Sequence, residues 1–172
     1  MNATHFHLLL NHFPVVGTLI GSLLLLWGII RKQNTIKSVA AVILTVMAAL
    51  AIPVFLTGEP AEESVEDLPG VSEALIGLHE DAATIAIWLM GITGMASLVA
   101  LIAAWKKNKA ANLLFVITFF LSAVCFAAMA RTGYYGGQIR HTEIRNDGTI
   151  NPAGQGDPAN GQEGKAKEKD DD

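Results

Sequence analysis

Ser22-Leu-Leu-Leu-Leu-Trp-Gly-Ile-Ile30 has no polar stripe on any side of a helix drawn through it. A helix on a soluble core keeps polar residues opposite its apolar face; one that is apolar all round is surrounded by lipid or by other helices. The run holding this stretch covers about residues 8–30, and others follow near 36–57, 82–105 and 110–130. Each approaches the roughly 20 residues that cross a hydrocarbon core about 30 Å thick. Composition agrees. Of 172 residues, 51% are hydrophobic and 16% charged, against about 25% charged in soluble domains. An all-α, integral-membrane fold of four spans is expected, with the lipid bilayer as its surroundings.

Charge sets the expected orientation. Arg31-Lys-Gln-Asn-Thr-Ile-Lys37 joins the first two runs and Lys106-Lys-Asn-Lys109 the last two, with no acidic residue in either. The middle connection, 58–81, carries Glu59, Glu62, Glu63, Glu66, Asp67, Glu73 and Glu80 and no Lys or Arg. Basic tips stay in the cytoplasm, so both termini and the acidic loop are expected outside it, in a bacterial inner membrane. Arg131, Arg140 and Arg145 weigh against this but do not outnumber the tips. Residues 1–6 lack the basic start of a cleavable signal, so the first helix is expected to remain as an anchor.

Short tips make neighbours antiparallel, and the simplest arrangement is an up-down-up-down four-helix bundle over residues 1–145. Residues 146–172 are almost free of apolar side chains and are expected to be a disordered tail. Within the outer loop, Pro60 can start a helix over 61–68, Pro69-Gly70 breaks it, and Ser72 can cap a helix running into the third span. Gly17-x-x-x-Gly21 is a small-xxx-small surface, suited to pairing with Gly91, Gly94 and Ser97 or with a second copy of the chain. Pro14 should kink the first helix or divide a short interfacial helix, 4–12, from the span proper. Trp27, Trp105, Tyr134 and Tyr135 read as an interfacial belt.

All five histidines (His5, His7, His12, His79 and His141) flank run ends that this topology gathers on the outer face. An ionisable group at the depth of His12 is costly and tends to face a bundle or cavity. His7 lies about 140° around an ideal helix from His12, so the two do not present to one ion unless Pro14 disturbs the helix. Below His79, Ala82, Ala83 and Ala86 form a stripe with room for a flat ligand or a neighbouring helix. Gly136-Gly137 permits a turn that would bring His141 back over the bundle mouth.

These residues support three readings. His12 and His79 can be axial ligands of a haem b between the first and third spans, with His7 and His141 as further cofactor contacts. Alternatively His12 and His79 join Glu62 or Glu80 on a metal ion, a donor set suited to Zn, Fe or Cu, although no H-x-x-x-H or H-E-x-x-H spacing is present. In the third reading there is no cofactor, and the protein is a structural or assembly subunit docking to other membrane or redox subunits. Cys125 is the only cysteine, which excludes disulfide frameworks and thiolate-clustered metals, and it reads as a small buried hydrophobe. Serine-nucleophile and phosphate-loop motifs are absent, and nothing indicates nucleic acid as a partner.

His7-Leu-Leu-Leu-Asn-His-Phe-Pro-Val-Val-Gly17 and the later Gly136-Gly137 resemble the bacterial integral-membrane family called domain of unknown function 2231. The resemblance covers residues 5 to 142 and implies a compact four-helix inner-membrane protein. Its members occur beside or fused to Rieske and cytochrome domains, which adds weight to a redox role without assigning ligands. The chain departs from the family at Gln138-Ile-Arg-His-Thr-Glu-Ile144, where a more apolar segment is the pattern.

Overall fold

The apolar runs become helices, and their ends explain the connections. The computed structural model describes residues 3–141 and 144–145; the tail expected to be disordered lies outside them. It comprises α1 (Ala3–Leu10), α2 (His12–Ile30), α3 (Asn34–Leu56), α4 (Gly58–Glu63), α5 (Glu73–Trp105) and α6 (Ala111–Arg140). Four stretches are long and apolar enough to cross a membrane: Thr4–Ile30, Asn34–Leu56, Glu73–Trp105 and Ala111–Ile139. Among the described residues there is no strand.

Both basic tips close in the same way. Lys32 and Lys107 take φ values of 54° and 52°, the left-handed conformation that ends many helices. The next amide in each case reaches back five residues, Gln33 to the Gly28 carbonyl and Asn108 to the Ala103 carbonyl, both at 2.9 Å. These bonds satisfy carbonyls that the helix end leaves open. Lys37, counted with the first tip, is in fact buried: its ammonium donates to Asn112 Oδ1 and lies 5.4 Å from the centre of the Phe115 ring.

α3 is the helix on which the small residues converge. A Cβ on Gly17 would overlap Met47, one on Gly21 would stand 2.9 Å from Leu44, and one on Gly94 would overlap Ala48. Gly17, Gly21 and Gly94, expected to join the first and third spans or two copies of the chain, are therefore covered by α3 of the same chain, whereas Gly91 is not. α2 packs on α3 and α6, α5 packs on the same two, and α2 and α5 lie diagonally opposite. The core has two apolar clusters, one around Leu25, Leu44 and Phe115 and one around Ala86, Met90 and Cys125. Buried Thr18, Ser22, Thr93, Ser97, Thr118 and Ser122 add hydroxyls to this interior, and Ser22 Oγ donates to Ser122 Oγ at 2.8 Å. Such bonds join helices where water is scarce.

The division expected near Pro14 is present: α1 ends at Leu10, Asn11 keeps helical dihedrals (φ −60°, ψ −28°) between it and α2, and Pro14 lies in the first turn of α2, where a missing N–H costs nothing. Two local expectations change. The loop helix occupies Gly58–Glu63 rather than 61–68. α6 continues through Gly136-Gly137 to Arg140, so there is no turn at the glycines. Ser72 does precede an uninterrupted α5, although its side chain makes no capping bond.

Candidate functional site

α1, α4 and the starts of α2 and α5 close one end of the bundle, opposite the two basic tips. α1 packs on α4, and the Thr4 and Ser64 hydroxyls meet at 2.6 Å. Two histidines are fixed within this capped end. His7 Nδ1 lies 3.0 Å from the Val54 carbonyl oxygen and 3.3 Å from Thr57 Oγ1. Val54 is in the last turn of α3, where carbonyls lack a helical partner, so His7 from α1 caps α3. His79 Nδ1 lies 2.9 Å from the carbonyl oxygen of Thr132 in α6. A carbonyl only accepts, so both rings donate through Nδ1–H and keep the lone pair on Nε2.

The two rings lie at the same end of the bundle, each held to the backbone of a different helix. A backbone carbonyl holding one imidazole nitrogen while the other is left as a ligand is the arrangement usual at metal-bound histidines. Gly136 makes room for it. A Cβ there would stand 3.1 Å from both Cε1 and Nδ1 of His79, so the first glycine of the pair serves contact with a ring rather than a turn.

Glu62 of α4 adds a carboxyl group. Burial raises its pKa to about 7, aided by a hydrogen bond to Glu80 and by repulsion from Glu80, Glu66 and Glu59. Asn11 Oδ1 and Gln138 Nε2, from the start of α2 and the end of α6, are buried with no partner among the described residues. Arg145 closes the far side, donating to the Gln138, Ile139 and Gly70 carbonyls at 2.8 Å each.

The other residues expected here lie elsewhere. His12 is exposed on α2, the helix diagonal to that of His79. Ala82 and Ala86 are buried, and Ala86 packs with Met90, Cys125 and Met129, so the stripe meets a neighbouring helix. His141 is exposed just beyond α6, and His5 is exposed on α1. The sequence reading missed Val54, Thr57 and Thr132, which act through backbone oxygens or a hydroxyl and carry no motif. The anchoring of His7 and His79 to backbone oxygens was also invisible, because it depends on how the helices pack.

No family model, curated protein or solved structure matches this chain.

Proposed function

We propose that the chain is a bacterial inner-membrane protein, an up-down-up-down bundle whose termini and acidic loop lie outside the cytoplasm, and that it handles a metal ion at its capped end. The orientation is supported by Arg31, Lys32, Lys106, Lys107 and Lys109, exposed at one end, with the acidic residues at the other. The observation that carries the function is the pair His7 and His79, each tied through Nδ1 to a backbone oxygen. Their Nε2 atoms are the ligands, and Glu62 or Glu80 supplies a carboxylate. Imidazole with carboxylate suits Zn, Cu or Fe. Among the described residues no three of His, Cys, Asp and Glu form a ready metal cage. This favours an ion that is received and passed on over one held permanently.

The absence of a ready third ligand favours a second reading, haem b in a redox subunit, since two imidazoles complete its axial set. The ligands would then be His7 and His79 in place of His12 and His79.

The full chain purified in mild detergent decides between them. The expected result is about one zinc or copper ion per chain near pH 8, lost in His7→Ala and His79→Ala and retained in His12→Ala. A Soret band that both variants abolish would replace the ion with haem. Neither metal nor band, even after supplementation during expression, would overturn both and leave the structural-subunit reading.

A further inference from the structure

The cations at the tip end of the bundle are not alike. Arg31, Lys32, Lys106 and Lys107 are exposed and follow the C-termini of α2 and α5, where the negative pole of each helix favours a cation. Lys37 is placed the other way round. It lies in the first turn of α3 and is only 4% exposed. Its stem crosses Gly28 of α2, where a Cβ would stand 2.9 Å from Lys37 Cγ. Its ammonium donates to Asn112 Oδ1, in the first turn of α6, and lies over the Phe115 ring. A cation is thus fixed between the starts of two helices, both of them positive poles. Neither helix has an acidic residue in its first turn, and neither N-cap residue, Gln33 nor Ala110, makes a side-chain capping bond. No Asp or Glu occurs in residues 1–58 or 82–142. Along α5, Asp81 stands roughly 36 Å from Trp105 at the tip end, several times the roughly 8 Å over which exposed charges act at physiological salt. The ammonium therefore has no counter-charge. It has three N–H donors and makes one hydrogen bond among the described residues, a bond that is only partly buried and so open to a ligand from outside.

We propose that the junction of α2, α3 and α6 at Lys37 binds the phosphate group of an anionic phospholipid from the leaflet at the basic tips. The phosphate oxygens accept from Lys37 Nζ and face the first-turn amides that a helix leaves without a partner. Lys32 and Lys109, exposed at the same end, extend the positive field toward the headgroup. Basic pockets between membrane helices hold anionic headgroups in this way. A free phosphate ion offers the same oxygens but no acyl chains for the exposed apolar faces of these helices, such as Leu23 and Val42, which favours the lipid. The inference rests on the membrane placement proposed above and not on the metal site at the other end.

The test is native mass spectrometry of the full chain released from mixed micelles that hold phosphatidylglycerol and phosphatidylcholine in equal amounts. Preferential retention of phosphatidylglycerol is expected. Lys37→Met keeps the stem on Gly28 and removes the charge; retention should fall about fivefold or more, roughly what one basic side chain contributes near an anionic surface. Lys109→Gln removes an exposed, screened charge from the same end and should change retention by less than about twofold. Asn112→Asp sets a carboxylate on the ammonium and so supplies the missing counter-charge. It should abolish the preference while raising the lipid-free unfolding midpoint, which keeps the test decisive if Lys37→Met does not fold. His7→Ala and His79→Ala should leave retention unchanged. Equal retention of the two lipids by the wild type, equal losses in Lys37→Met and Lys109→Gln, or an undiminished preference in Asn112→Asp would overturn the proposal. So would inorganic phosphate that stabilises the lipid-free chain as much as phosphatidylglycerol does. A chain that stays in solution without detergent would instead overturn the membrane placement itself.

Discussion

His79 Nδ1 donates to the Thr132 carbonyl across 2.9 Å, and Gly136, one turn further along α6, presents bare backbone to the same ring. The imidazole is held between an acceptor and a surface, so it has no freedom to retreat from an added methyl group.

Gly136→Ala should therefore destabilise the protein, although alanine is the better helix former. Its Cβ would press on two ring atoms at 3.1 Å. Overpacking of this kind costs about 1–3 kcal/mol. Gly133→Ala, one turn earlier, meets nothing within 4 Å and should gain up to about 1 kcal/mol from helix propensity. Thermal unfolding in detergent should place Gly133→Ala above wild type and Gly136→Ala below it. Equal midpoints for the two variants would show that the ring is not confined.

The Glu62–Glu80 pair should make stability depend on pH in the direction opposite to most carboxylates. The folded pKa of Glu62, about 7, exceeds the ordinary 4.5. The folded state thus binds the proton more tightly than the unfolded one. Its contribution is complete below pH 4.5, declines as pH rises, and is gone once pH passes about 7. Glu62→Gln should flatten the slope of unfolding midpoint against pH over that window. Glu80→Gln should lower the Glu62 midpoint by removing the neighbouring negative charge, a shift readable by carboxyl infrared titration.

Hydropathy made four long apolar helices legible because apolar length is a local property, and charge marked the two tips for the same reason. What stayed hidden was tertiary. Gly17 and Gly21 announced a close helix contact, but only the fold shows that Met47 and Leu44 of α3 provide it. Gly136-Gly137 looked like a turn because backbone freedom and lack of a side chain leave the same mark in a sequence; here the missing side chain matters. For the candidate site, the sequence gathered the histidines at one end and favoured His12 with His79, since depth along a helix is readable and the backbone oxygens that hold His7 and His79 are not.

Gly94 and Gly91 test the close approach of α3 and α5. A Cβ on Gly94 would overlap that of Ala48, and both atoms are rigidly attached to their backbones. Gly94→Ala must separate the helices, at a cost of about 1–3 kcal/mol. Gly91 faces open space in an apolar groove of about 520 Å³ lined by Ile52, Phe55, Trp88 and Met95. Gly91→Ala should be neutral or mildly stabilising in the same unfolding assay. A loss there as large as that of Gly94→Ala would mean the groove is closed.

Arg145 should control the acidic loop through three backbone oxygens. Its guanidinium meets the Gln138 and Ile139 carbonyls in the last turn of α6, where helical partners run out, and the Gly70 carbonyl in the loop. Gly70 has a φ of +85°, a conformation that an unsupported loop need not keep. Arg145→Ala removes the connection between α6 and the loop. Amide exchange over 64–72 and 137–141 should then quicken by about tenfold or more, as hydrogen bonds from a charged donor contribute about 1.5–3 kcal/mol. Exchange in the middle of α5 should not change. Arg145→Lys should recover little, because an ammonium lacks the planar fork that reaches several carbonyls together. Unchanged exchange over 64–72 in Arg145→Ala would mean that α1 and α4 hold the loop without help, and that the capped end keeps its shape independently of α6.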